Sequence, residues 1–326
     1  MKIGIVISGG DVSGINNFIF QIAKLANAQI TLFNGGISGL LEKNHHEVSW
    51  RDLVDFSIAS IPVIASGRTT RKLQRSEYDI IAKKIKSLRL DILIMAGGDG
   101  SLQFLSTLSE YDINCFGVGM TIDNDVYGSD YTIGFSTACE QIIKEVSRLR
   151  NTGRALPGRV FMVEILGGYC GELTLQSAIK SNADIALIPE SQIPLDMLAD
   201  RVKQKLIDQN SVIILCSEGY TREYSPGFQG AIDTMIKQLE PRIGVRIRKT
   251  IVGYGLRSGD PTCEEIYQGT IMANEVVRCI QAGMKNKAII INSSNKPIPI
   301  DLISMKKRLV DTEGHYYKLA KQLNII

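Results

Sequence analysis

The sequence predicts an α/β protein built on parallel sheets, and two patterns carry that expectation. Short continuous apolar runs at residues 3–7, 92–96 and 113–118 end near turns that are rich in glycine. Runs of that length without polar alternation suit strands buried on both faces. Segments with helical periodicity lie between such runs, and the alternation continues along almost the whole chain. A chain of 326 residues holds material for one large domain or two lobes. No low-complexity tract or long Pro/Ser linker divides it, so two lobes would share a tight boundary, expected near residues 136–158.

The first strand, residues 3–7, runs into Ser8-Gly9-Gly10-Asp11, and a helix is expected at 14–27. Strand, glycine turn and helix in succession make a natural phosphate cradle, although the same turn also serves as a plain strand–helix connection. The next strand is 30–33, followed by Asn34-Gly35-Gly36. Residues 51–60 read as helix, and 61–65 lead into Ser66-Gly67-Arg68-Thr69-Thr70-Arg71-Lys72. That loop is either a local cluster of cations for an anionic ligand or a solvated basic loop. A helix at 78–88 feeds the strand at 91–96, and Tyr131 to Phe135 lead into a long helix at 137–151. The second half continues with strands at 160–165, 183–188, 212–216 and 246–252. Helices at 171–180, 194–209, 228–240 and 264–282 fall between and after them. The tail offers a strand at 288–291, a helix at 302–310 and a last helix that crosses back.

The strand ends carry the chemistry. One apolar run breaks into Gly97-Gly98-Asp99-Gly100-Ser101, and the next ends before Thr121-Ile122-Asp123-Asn124-Asp125. Active groups in open α/β sheets sit beyond the carboxyl ends of the strands. Two neighbouring strands would therefore bring Asp99, Asp123 and Asp125 to one rim, with glycines leaving room for a bulky anion. That is the make-up of a phosphoryl-transfer site, although Asp123 read alone could be a turn-capping carboxylate.

Composition bounds the alternatives. A net charge of +3 is too small to argue for nucleic acid or a membrane surface. Six cysteines without a CxxC pair are expected to be reduced core residues of a cytoplasmic protein. A strand at the very start and no long apolar segment lead us to expect neither a signal peptide nor a transmembrane helix. Gly9-Gly10-Asp11 is not a GxGxxG fingerprint, which disfavours a dinucleotide-binding dehydrogenase.

Several separated motifs agree with one another. Ser8 to Asp11, Gly97 to Ser101, Thr121 to Asp125 and Asp130 to Phe135 resemble the 6-phosphofructokinase family in order and spacing. Arg248, Thr250, Gly253, Arg257, Gly259 and Pro261 resemble its later signature. The resemblance implies two doubly wound parallel-sheet lobes with the active site in the cleft between them. Residues 1–136 would bind nucleotide and Mg-phosphate, with part of the tail crossing back, and 137–326 would bind the sugar phosphate. It further implies ATP as co-substrate, Mg²⁺ as cofactor and transfer to the 1-hydroxyl of fructose 6-phosphate. Asp123 would be the general base, with Thr121 and Asp125 beside the hydroxyl. Asp99 would hold Mg²⁺ largely through water. Gly9, Gly10, Gly98, Gly100 and Ser101 would wrap the nucleotide phosphates, and Arg68 would reach the transferred group. On the acceptor side Arg159, Arg248 and Arg257 would hold the 6-phosphate with guanidinium forks, and Glu218 would take sugar hydroxyls. Each of those arginines taken singly could instead be a surface or ion-pairing residue. In bacterial relatives some of these arginines come from a neighbouring subunit, so the active unit is expected to be a homo-oligomer, a dimer or tetramer.

The chain also departs from the family pattern. Leu166-Gly167-Gly168 replaces a Met-Gly-Arg run, Tyr254 replaces a histidine, and Gly36-Ile37 lacks the usual aromatic residue near the adenine. Each change alters the pocket for one substrate or the other, and the first two would reshape the acceptor site. A paralogous kinase for a different sugar phosphate or derivative, or a catalytically weak regulatory member, therefore stands as the alternative. Pyrophosphate-using relatives carry Asp where this chain has Gly100 and Lys where it has Met120, which favours ATP. Phe20 and Lys24 stand at positions where relatives carry effector-binding arginines, and residues 203–210 lack the lysine-rich run. Feedback control by the family's route is therefore expected to be absent. Arg150 and Glu190 are retained from that route, either as its remnant or as structural ion-pair partners.

Overall fold

Eleven strands form among the described residues: β1 (Lys2–Ser8), β2 (Gln29–Phe33), β3 (His45–Val48), β4 (Ile92–Gly97), β5 (Cys115–Gly119), β6 (Arg159–Ile165), β7 (Ile185–Leu187), β8 (Ser211–Ser217), β9 (Ile247–Ile251), β10 (Lys287–Ile291) and β11 (Pro297–Asp301). The computed structural model describes the chain except Lys43, Thr70, residues 225–229 and residues 303–306. Part of the basic loop, the start of the helix expected at 228 and four residues of the helix expected at 302–310 therefore lie outside the described residues.

Two compact units result. The first contains Met1–Thr137 and Arg257–Arg308; the second contains Ala138–Leu256 and Leu309–Ile326. In the first, seven strands are ordered β11-β10-β5-β4-β1-β2-β3. The five inner strands are parallel, while β3 and β11 close the two edges antiparallel. Ser8 lies opposite Gly97, and Gly97 opposite Gly119, so β1, β4 and β5 all end at one level. That register puts three glycine-rich turns side by side. Val6, Leu93 and Met95 bury one face against Ile81, Ile85, Phe104 and Leu105 from the helices Arg75–Ser87 and Asp99–Ser109. Helix Ile15–Ala26 packs against helix Cys263–Gln281 in the same unit.

In the second unit four parallel strands are ordered β7-β8-β6-β9. Val160, Met162, Val212 and Ile214 pack on Leu198 and Val202 of helix Leu195–Asp208 and on Met235 and Leu239 of helix Ala231–Ile243. Fully burying one such side chain contributes about 1.5–3 kcal/mol before chain entropy is counted.

Three expectations need correction. The helix expected at 51–60 is one short turn, Trp50–Leu53, followed by a 3₁₀ turn, Val54–Phe56. The Asn16 amide explains the early end. It donates to the carbonyls of Phe56 (3.2 Å), Ala59 (3.1 Å) and Ile61 (2.7 Å), and its oxygen accepts from the Val63 amide (3.1 Å), giving the backbone a partner that helix would deny it. Strands β3 and β11 were not expected. In the stretch expected as a helix at 302–310, Lys307 instead pairs with Val126 as an antiparallel bridge.

Candidate active site

The first unit holds a cavity of about 340 Å³ at the carboxyl ends of β1, β4 and β5. Ser8, Gly9 and Gly10 line it from β1, Gly98 to Ser101 from β4, and Met120, Thr121, Asp123 and Asp125 from β5. Arg68, Arg257 and Lys307 complete its charged lining. Of the residues the sequence points to, Gly9, Gly10, Arg68, Gly98, Asp99, Gly100, Ser101, Thr121, Asp123, Asp125 and Arg257 thus come together.

Each is held by a local device. A Cβ on Gly98 or Gly100 would meet no protein atom within 4 Å, so these glycines leave open the volume a side chain would otherwise occupy. The Ser101 hydroxyl donates to the Ser8 carbonyl (3.2 Å) and ties the first two turns together. Gly9 has φ +111° and gives its amide to the Gly67 carbonyl (3.0 Å), which carries Arg68 to the rim. A Cβ on Gly10 would collide with the Arg257 guanidinium. Arg257 Nε is buried and has no hydrogen-bond partner among the described residues, as suits a cation facing an anion site. Of the other basic-loop residues, Arg71 is bound bidentately to Glu77 (2.7 and 2.5 Å), and that pairing pulls the Glu77 carboxyl down to about 2.

The turn bearing Asp123 and Asp125 hinges on Asn124. This residue is fully buried at φ +52°, a left-handed conformation that asparagine tolerates. Its amide donates to the Asp130 carbonyl (3.1 Å) and accepts from the Thr132 hydroxyl (3.2 Å). The Thr121 hydroxyl accepts from the Asp123 amide (3.2 Å). Asp125, buried, pairs with Lys307 at 2.9 Å. Burial alone would lower the Lys307 ammonium. The hydrogen bond to Asp125 and the fields of Asp125, Asp99 and Asp123 outweigh it and hold Lys307 above the usual lysine range.

One element differs from the expected cradle. Helix Ile15–Ala26 begins five residues beyond Gly10 and contributes nothing to the lining. Glu265 fills the space there, so that a Cβ on Gly14 would strike it. The helix that opens on the cavity is Asp99–Ser109, with Asp99 in its first turn.

The second unit has its own rim, where β6 and β8 end. Glu218 Oε1 accepts from the amides of Gly167 (3.1 Å) and Gly168 (2.7 Å), so the Leu166-Gly167-Gly168 turn clamps the carboxylate. Gly168 has φ +58°, where an L side chain would be strained. Burial, then the neighbouring Glu218 carboxylate, pushes the Glu164 carboxyl above its ordinary range. Tyr254, well exposed, follows the end of β9. Arg159 begins β6 and so occupies the opposite end of the sheet, while Arg248, the second residue of β9, lies opposite Phe161. Arg159 lies about 20 Å along the strand from Ile165, at about 3.3 Å per residue. Arg150 and Glu190 make contacts within this unit. Arg150 pairs with Asp184 at 2.9 Å, and Glu190 accepts from the amides of Gly171 (3.0 Å) and Val310 (3.0 Å).

A family model described as Phosphofructokinase matches residues 2–280. The chain belongs to the phosphofructokinase family. It is similar over 99% of its length to an ATP-dependent 6-phosphofructokinase of Clostridioides difficile, at 30% identity and 99% of that protein. It is also similar to a pyrophosphate–fructose 6-phosphate 1-phosphotransferase of Thermoproteus tenax, at 29% identity over 98% of this chain and 97% of that one. Among solved structures, the phosphofructokinase of Saccharomyces cerevisiae matches with a TM-score of 0.81 at 23% identity. That match covers 98% of this chain but 46% of the yeast chain, so this protein spans about half the yeast length. The mixed α/β fold with parallel sheets is thus the phosphofructokinase fold, and the protein is a phosphotransferase of that family.

Sequence reading missed two residues of the first unit. Lys307 stood in an expected helix, and its signal was the basic run that ends the crossing segment. Glu265 looked like an ordinary acidic residue in a helix's first turn. It is fully buried and accepts from the amides of Gly134 (2.6 Å) and Thr137 (3.1 Å), holding the start of helix Phe135–Ala155.

Proposed function

We propose that this phosphofructokinase transfers the terminal phosphoryl group of ATP to the 1-hydroxyl of fructose 6-phosphate, giving fructose 1,6-bisphosphate. The observation that carries the reading is the cavity of the first unit, where Asp99, Asp123 and Asp125 meet glycine turns and the Arg68 guanidinium. Phosphoryl transfer asks mainly for positioning and charge cancellation. Asp123 accepts the proton of the 1-hydroxyl as its oxygen bonds to the terminal phosphorus, the bond to the bridging oxygen breaks, and ADP leaves. Arg68 faces the charge that develops on the transferred group. Thr121 keeps the Asp123 turn in place. Glu218, oriented by two backbone amides, accepts from sugar hydroxyls.

Among the described residues no three His, Cys, Asp or Glu side chains are gathered to cage a metal by themselves. Mg²⁺ binds through one or two carboxylates together with phosphates and water, so Asp99 beside a phosphate cradle fits it. Bound there, Mg²⁺ would offset phosphate charge. Open volume at Gly98 and Gly100 supports a nucleotide donor. The position of Arg159, at the far end of β6 from Glu218, supports an oligomer in which a second copy supplies it. No helix among the described residues is long and apolar enough to cross a membrane, and a cytoplasmic location fits this reading.

A coupled assay with Mg-ATP or pyrophosphate and fructose 6-phosphate tests the activity. Turnover with ATP, abolished by Asp123→Ala in a folded variant, is expected. Turnover with pyrophosphate alone would overturn the choice of donor, and silence with both would overturn the activity.

A further inference from the structure

The cavity lining carries three carboxylates, Asp99, Asp123 and Asp125, against three cations, Arg68, Arg257 and Lys307. A polyphosphate donor is itself highly negative, so this balance governs whether it enters. Lys307 differs from the other two cations in where it comes from and how it is fixed. It belongs to the segment that leads out of the first unit after β11. Its backbone bridges Val126, and the next residue, Arg308, donates its amide to the Asp125 carbonyl at 2.7 Å. The Arg308 guanidinium bonds the Ser129 carbonyl and pairs with Asp130 at 3.3 Å. The segment is therefore strapped along the loop that bears the catalytic carboxylates. The Lys307 side chain, 38% exposed, reaches the nearly buried Asp125 with its ammonium.

An unpaired carboxylate as buried as Asp125 is costly to leave charged. It would also repel phosphate and attract free divalent cation. We propose that Lys307 is a positioning residue of the donor site, a resident cation that neutralises Asp125 and so admits the polyphosphate donor while keeping Asp125 from capturing free metal. This rests on the reading of the cavity as the donor site. Acting through Asp125, Lys307 lowers the electrostatic barrier to donor binding.

The two halves of the proposal predict shifts of opposite sign for one substitution, which a merely structural role would not give. Lys307→Met keeps the bulk and removes the charge. In full-length, nucleotide-free protein, Mn²⁺ binding measured by calorimetry should become roughly tenfold tighter, the size expected for losing one partly exposed charged hydrogen bond. In turnover, the KM for Mg-ATP should rise roughly tenfold. Lys307→Arg should restore both values, and Lys307→Gln serves if the Met variant fails to fold. Unchanged Mn²⁺ affinity or an unchanged donor KM in a folded neutral variant overturns the proposal, as does an Arg variant no better than the neutral one. Failure of the activity reading is seen separately, as absence of turnover in the wild-type protein. The Mn²⁺ comparison then decides the role of Lys307 without any turnover.

Discussion

At the end of the seven-stranded sheet, three carboxylates and three cations line one cavity, all within the first unit. At the end of the four-stranded sheet, Glu218 is clamped by two amides, while Arg159 starts β6 at the other end. The contrast follows from strand register. Parallel strands that end in step collect whatever follows them, and β1, β4 and β5 are each followed by chemistry. A residue at the start of β6 cannot reach the end of β6, however suitable its side chain. The candidate donor cavity is therefore lined within one unit, and on the proposed reading the acceptor half takes Arg159 from a second copy.

Mixing two inactive variants would break this comparison most directly. Asp123→Ala and Arg159→Ala should each be inactive alone. Re-assembled together from dissociated subunits, they should recover roughly a quarter of wild-type turnover, because an isologous pair combining one of each regains one intact site. No recovery, with mixed oligomers verified by mass, would mean that each chain uses its own Arg159. A smaller effect is expected from Glu218→Gln, which leaves the Gly167 and Gly168 amides a neutral acceptor. The acceptor kcat/KM should fall roughly 10–100-fold, in line with the loss of charged hydrogen bonds, with the KM for ATP unchanged. A shift in the ATP KM of similar size would show that the two rims are not separable.

The smallest effect concerns stability. Burial raises the Glu265 carboxyl from 4.5 to about 7, against the lowering pull of the Gly134, Tyr131 and Thr137 hydrogen bonds. Between those values the folded protein holds a proton that the unfolded chain has released, so stability falls as pH rises through that window. Glu265→Gln removes this dependence. Its melting temperature should gain on the wild type by a few degrees from pH 4.5 to pH 7.5, followed by calorimetry. A constant gap between the two would refute the assignment.

Most of this architecture was legible in the sequence because apolar runs and turn glycines report on buried parallel strands directly. The edges were not. β3 reads His45-His46-Glu47-Val48 and β11 reads Pro297-Ile298-Pro299-Ile300-Asp301, and polar or proline-bearing stretches are what exposed edge strands use. The Asp123–Asp125 turn could be read because its parts are adjacent. Lys307 could not, since its partner is Asp125, far away in sequence, and no local period marks that contact. Arg159 was legible as a type, while its distance from Glu218 became visible only with the strand register.

Order of synthesis gives β10 a further meaning. It pairs with β5, yet about 170 residues separate the two strands in the chain. At ~5–20 residues per second, β5 would wait on the order of ten to thirty seconds on the ribosome with one edge unsatisfied. An apolar strand with bare amides is the template on which nascent chains aggregate. The first unit therefore cannot be completed before β10 has been made, and the protein's yield in a cell will depend on what shields that edge during translation.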